Sequence, residues 1–117
     1  MQDEIYSIYH LALEPDNFPL FEALIKKIVE ETSKEADTLT YEYVVSADFS
    51  KVHIIERYRT AGVLPHTEQT FAPFADEFLR LATIEKLFVY GNPTAEIKAK
   101  LDGFGATYLM PFAGFTR

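Results

Sequence analysis

The chain has 117 residues, 48% of them hydrophobic, which is enough for one compact domain over 1–117 and too little for two. The apolar and aromatic content excludes a disordered chain, and the net charge of −7, with Lys and Arg scattered except at Lys26 and Lys27, excludes the basic patch of a nucleic-acid partner. With no cysteine, disulfides, thiolate chemistry and cysteine-based zinc sites are excluded, which fits a cytoplasmic protein.

The chain starts "MQDEIY", with no basic segment followed by an apolar stretch, so no secretory signal is expected. Its apolar runs fall short of the ~18 residues that would span a bilayer, and no membrane partner is expected. Residues 5–13, "IYSIYHLAL", read as a first strand that Pro15 stops. "PDNFP" supplies a helix start with Asp16 or Asn17 as cap. Phe21, Leu24, Ile25, Ile28 and Val29 then recur at helical spacing, predicting an amphipathic helix over 18–34. Residues 39–47 and 52–59 read as strands joined by the turn "DFSK", forming a hairpin. Thr67, Phe71, Phe74, Phe78 and Leu81 mark a second helical region over 61–82, which Pro73 should kink or break. Residues 84–90 read as a fourth strand. Thr94 caps a short helix to Leu101, ended by Gly103 and Gly105. Residues 107–115 read as a last strand, with Pro111 pointing to an edge or a bulge.

The order β-α-β-β-α-β, with a short helix and strand added, is the split βαβ of a ferredoxin-like α+β fold with an antiparallel sheet. Both main helices should cover one sheet face. The first and fourth strands are apolar on both sides, so the other face also needs cover, and a second copy of the chain supplies it most simply. A homodimer is therefore expected.

With Asp48 and Lys51 flanking the hairpin turn, one face holds Tyr41, Tyr43, Val45, Val52, Ile54, Glu56 and Tyr58. The other holds Glu42, Val44, Ser46, His53, Ile55 and Arg57. This register sets Glu42 opposite Arg57, as its ion-pair partner, and Glu56 opposite Tyr43. A one-residue slip would exchange the faces.

Several stretches carry a resemblance. "EADTLTYEY" (35–43) is similar to the segment joining the first helix to the second strand in the antibiotic biosynthesis monooxygenase (ABM) domain family of the dimeric α+β barrel superfamily, with Ala36-Asp37 where Pro-Gly is common. "IIERY" (54–58) resembles that family's third strand, with Tyr58 where Trp is frequent. His66 resembles a histidine often found early in the following helix. "VYGNPTAEI" and "PFAGFTR" resemble one bacterial subgroup. The resemblance covers nearly the whole chain and implies a dimeric α+β barrel. It also implies oxidation of quinols or anthrone-like polyketides by oxygen without metal or flavin. The haem-degrading branch uses a tryptophan and a histidine ligand further along the second helix; this chain has no Trp and no His near Asp76 and Glu77, so no haem cofactor is expected. His53, Glu56 and His66 lack the tight spacing of a metal motif, so no metal is expected.

In that frame His66 reads either as the base, since a near-neutral imidazole can take a proton from a quinol or enol, or as a half-exposed helix histidine. Glu56, set among phenols, reads either as a second acid–base group or as a structural carboxylate bonded to tyrosine hydroxyls or to a dimer partner. Tyr58 would help position the substrate. The Phe71, Phe74 and Phe78 stripe reads first as core; a pocket between the second helix and the sheet would be lined by it together with Tyr41 and Tyr43 and would take a small aromatic or apolar substrate. His10 and His53 read as structural or interfacial. The sequence thus points to a cofactor-independent monooxygenase for a quinol or other electron-rich aromatic or enol. Two readings stay beside it: a non-catalytic dimeric domain that binds a small ligand or a protein, and a proton-transfer enzyme that needs the base but no oxygen.

Overall fold

The computed structural model describes residues 1–117. Five strands form one sheet: β1 (Glu4–Ala12), β2 (Thr38–Val45), β3 (Lys51–Arg59), β4 (Thr83–Gly91) and β5 (Ala106–Leu109). Their order across the sheet is β2-β3-β1-β4-β5. The first four pair antiparallel, while β5 runs parallel to β4 at the edge. With β1 and β3 central, the connections are those of the ferredoxin-like split βαβ.

Helix α1 (Phe18–Thr32) buries Phe21, Leu24, Ile25, Ile28 and Thr32 along one stripe, the spacing of a single helix face. Removing each large apolar side chain of that stripe from water is worth about 1.5–3 kcal/mol. A short 3₁₀ turn, Pro15–Asn17, leads into it, and neither Asp16 nor Asn17 forms the expected side-chain cap. The second helical region is broken, as Pro73 requires. It passes from a 3₁₀ turn (Thr60–Gly62) through the single α turn α2 (Val63–Pro65) into a π turn (His66–Thr70). A second 3₁₀ turn (Ala72–Phe74), which contains Pro73, precedes α3 (Ala75–Leu81). Helix α4 (Ala95–Leu101) starts on Thr94, whose hydroxyl accepts from the Ile97 N–H at 3.2 Å.

Burial alternates cleanly along β3: Val52, Ile54, Glu56 and Tyr58 lie inward, under the helices. On β1 the inward set is Ile5, Ser7, Tyr9 and Leu11. Two apolar clusters result. One is centred on Leu11, Phe21, Ile28, Ile54 and Phe78, the other on Ile5, Tyr58, Leu87, Val89 and Ile97. Tyr9 packs against both. The opposite, helix-free face presents Tyr6, Ile8 and His10 from β1 beside Ile55 from β3 and Phe88 and Tyr90 from β4. Its two histidines, His10 and His53, stack with ring centroids 3.8 Å apart.

Three expectations are corrected. The hairpin pairs Tyr41 with Glu56 and Tyr43 with Ile54, so its register differs by two residues from the one expected. The cause is Asp48. Its carboxyl accepts from the hydroxyls of Ser46 and Ser50 and from the Ser50 N–H, which holds it inside the loop, and Ser46 and Lys51 close the ladder instead. An even shift preserves the faces, so the inward set survives. The expected Glu42–Arg57 pair does not. Arg57 instead forms a two-pronged pair with Glu4 on β1, at 2.6 and 3.0 Å. Finally, β5 ends at Leu109, short of Pro111, whose missing N–H cannot continue a ladder. Beyond it, Phe112 and Phe115 are exposed. No helix is long and apolar enough to cross a membrane.

Candidate active site

The inward face of the hairpin brings Tyr41, Tyr43, Ile54 and Glu56 under the broken helical segment. That segment contributes His66, Thr67 and Phe71, and Phe78 follows from α3. Tyr9, Ile84 and Phe104 complete the walls of a cavity of about 20 Å³. This is room for about one water molecule.

His66 is buried, at 4% exposed. The π turn places it: the Phe71 N–H donates to the His66 carbonyl at 2.8 Å, five residues back, which widens the helix at this residue. Its Nδ1 lies 3.0 Å from Oε1 of Glu35, in the loop between α1 and β2. The Thr38 hydroxyl donates to the same oxygen at 2.7 Å, and the Thr70 hydroxyl donates to Oε2. With Glu35 as the acceptor, the His66 proton sits on Nδ1 and Nε2 keeps its lone pair. Burial pushes the His66 pKa below its ordinary value, while the charge and hydrogen bond of Glu35 push it up. The imidazole is therefore neutral near pH 7. Glu35 was not among the residues expected at the site. It lies 31 positions from His66 in the chain, and nothing in the local pattern marks a turn glutamate as the partner of a distant imidazole.

Glu56 is 5% exposed and accepts a hydrogen bond from the Tyr58 hydroxyl at 2.5 Å. Burial pushes its pKa up to about 8, against the opposing effect of that hydrogen bond. At neutral pH it is a carboxylic acid. The phenols of Tyr9, Tyr41, Tyr43 and Tyr58 are all raised, chiefly by burial, so none ionises near neutrality. The Tyr41 and Tyr43 hydroxyls bond to each other at 2.7 Å. The chamber thus joins a neutral base to a neutral acid among apolar walls, an arrangement that can move a proton in either direction.

Of the eight residues expected at the site, His66, Glu56, Tyr41, Tyr43, Phe71 and Phe78 line one cavity. Tyr58 lies behind Glu56, in the second cluster, and is not itself a wall; it touches the cavity's lining through its hydrogen bond to Glu56 and through its ring, whose centroid is 5.5 Å from that of His66. Phe74 packs on the first cluster and is not a wall, because the 3₁₀ turn at Pro73 breaks the helical stripe there. His10 and His53 lie on the opposite sheet face. No group of three or more His, Asp or Glu side chains gathers around a point that would hold a metal ion.

No protein-family model matches the chain, and no curated sequence matches it. Solved structures do. MupZ from Pseudomonas fluorescens superposes with a TM-score of 0.89 at 22% identity, over 100% of this chain and 91% of its own. A protein from Nitrosomonas europaea that bears the name antibiotic biosynthesis monooxygenase superposes at 0.67 and 18% identity, over 77% of this chain and 90% of its own. SnoaB, a cofactor-independent oxygenase from Streptomyces nogalater, gives 0.65 at 14% identity, over 80% and 96%. The chain shares the fold of these three proteins. Within that fold, the His66–Glu56 chamber lies between the helices and the sheet.

Proposed function

We propose that this ABM-fold protein is a cofactor-independent monooxygenase for an electron-rich phenol, quinol or enol. The observation that carries the reading is His66: buried, neutral, locked by Glu35 through Nδ1, and a wall of an apolar chamber. Nε2 of His66 takes the substrate proton. The resulting anion gives one electron to dioxygen, and the radical pair combines to form a carbon–oxygen bond. The peroxide takes up a proton, for which Glu56 is placed as donor, and its O–O bond then breaks. For a phenol the balance is ArOH with a para C–H plus O₂ giving quinone plus water: one oxygen atom stays on carbon and the other leaves as water. Dry walls protect the radical pair. The names borne by the Nitrosomonas europaea protein and by SnoaB support this reading.

The working unit is proposed to be a homodimer in the cytoplasm. The apolar helix-free face, with Ile8, Ile55 and Phe88, supports a second copy as its cover.

A second reading is supported by Glu56. A neutral acid beside a neutral base suits a proton-transfer reaction that uses no oxygen. One experiment separates the two. Oxygen consumption is followed over a panel of hydroquinones, naphthols and anthrones, with the His66→Ala protein as control. Uptake that falls by at least about a hundredfold in the control supports the monooxygenase. Turnover that persists without oxygen supports proton transfer. Tight binding with no turnover of any kind would leave only a ligand-binding domain.

A further inference from the structure

The chamber of about 20 Å³ that holds His66 and Glu56 is too small for any ring system. A second cavity, of about 330 Å³, lies between α1 and the β2–β3 hairpin, on the helix side of the sheet. That volume falls in the range of small-molecule sites. Phe18, Ile25 and Val29 of α1 form one wall, and Tyr43 and Val45 of β2 with Val52 of β3 form the other. Tyr43 is a wall of both cavities. Beside it the partition is made by Phe21 of the outer cavity and Phe78 of the inner one, with ring centroids 5.5 Å apart.

We propose that the α1–β2 groove binds the planar apolar body of the substrate, and that Tyr43 is the movable partition through which the reacting end reaches His66 and Glu56. The proposal rests on the reading of that chamber as the reaction site. Three observations carry it. The volumes divide the work: the inner space has room for about one water molecule and the outer one for a ring system. The Tyr43 hydroxyl has one polar partner, Tyr41, at 2.7 Å, so a single hydrogen bond restrains it. Apart from Glu22 and Lys26, the outer walls are apolar and include two phenyl rings, which selects a flat, uncharged ring system over a sugar or a phosphate. A second copy of the chain is the alternative occupant. The groove, however, lies on the helix side of the sheet, away from the apolar face that a second copy would cover.

The test uses the intact protein and 1-naphthol without oxygen, so that binding is read apart from turnover. In methyl NMR titrations, Val29 and Val45 are expected to shift with naphthol concentration. Val29→Trp and Val45→Trp fill the groove from opposite walls at positions 37% and 42% exposed, where folding tolerates the change. Each is expected to weaken binding at least tenfold. Tyr43→Phe keeps the ring, drops the bond to Tyr41, and is expected to speed association several-fold in stopped-flow mixing. Shifts confined to the helix-free face, at Ile8 and Ile55, overturn the proposal. So do groove shifts that follow protein concentration rather than naphthol, which would mean that a second copy fills the groove. Unchanged affinity in both Trp variants overturns it as well; if either variant fails to fold, the methyl map of the unmodified protein decides. Groove binding with no oxygen uptake leaves this inference standing and removes the monooxygenase reading. Oxygen uptake indifferent to both Trp variants does the reverse.

Discussion

Nδ1 of His66 lies 3.0 Å from Oε1 of Glu35, joining the π turn after β3 to the loop before β2. Two threonine hydroxyls hold the same carboxyl in place, so the imidazole has one orientation and one tautomer. Glu35 is a positioning residue in this arrangement. Glu35→Gln is expected to lower kcat by about ten- to a hundredfold with KM little changed. Because Glu35 holds the His66 pKa up against burial, its loss lowers that pKa. The acid limb of the pH–rate profile therefore moves to lower pH. Nitrogen chemical shifts of His66, which report the tautomer, separate this from simple unfolding.

Glu56 sets the other limb. With its pKa pushed up to about 8, it loses its proton just above neutrality. Activity that uses the acid form is expected to rise as His66 deprotonates and to fall as pH passes about 8, a bell-shaped profile. Glu56→Gln removes the titrating group and with it the fall on the alkaline side. A steady-state profile from about pH 5 to 10 checks this, and an alkaline limb unchanged in the variant would remove Glu56 from the reaction.

The buried acid also makes folding depend on pH. The Glu56 pKa is about 8 in the folded chain and 4.5 at its ordinary value. Its contribution to stability is full below the lower value and is lost as pH rises through the upper one. Each tenfold difference in proton affinity between the folded and unfolded chain is worth about 1.4 kcal/mol. His66 has the opposite sign: its lowered pKa costs stability as pH falls below its ordinary 6.5. The wild type minus Glu56→Gln difference isolates the first effect. Urea midpoints at about pH 5 and pH 8.5 are expected to show the wild type losing a few kcal/mol relative to the variant across that interval.

On the helix-free face, Ile55 is paired with Ile8 on β1 and with Glu42 on β2. Ile55→Lys would place an ammonium in the centre of the proposed dimer contact. Burying it unpaired costs more than ~1.4 kcal/mol, so the dissociation constant is expected to rise at least about tenfold. Sedimentation equilibrium at micromolar protein measures this. A wild-type chain that sediments as a monomer would remove the dimer.

Gly91 ends β4 with φ of 125°, a region that L side chains rarely adopt. A Cβ there would sit 2.7 Å from the Glu4 carbonyl oxygen, across the sheet. Gly91→Ala is expected to cost roughly 1–3 kcal/mol, read as a fall in the thermal midpoint, because the contact is backbone and cannot swing away.

Much of this protein was legible along the chain. Period-two alternation in "VHIIERYR" put Val52, Ile54, Glu56 and Tyr58 on one face, and Pro73 announced the break in the second helix. Such features depend on neighbours a few residues apart, so local sterics and hydrophobic patterning decide them. The inward set survived a two-residue error in register because side-chain direction repeats every two residues. Hairpin pairing itself was not legible, since it turned on where the Asp48 side chain found its three donors. Nor was the partner of Arg57, which lies 53 positions away at Glu4, or that of His66, which lies across the α1–β2 loop at Glu35. A charge seeks whatever opposite group the fold brings near, and that proximity is a property of the whole chain. The amino-acid sequence alone therefore determined the elements, the inward faces and the candidacy of His66 and Glu56. Tertiary structure decided which groups meet, which tautomer His66 holds, and how little space is left between them.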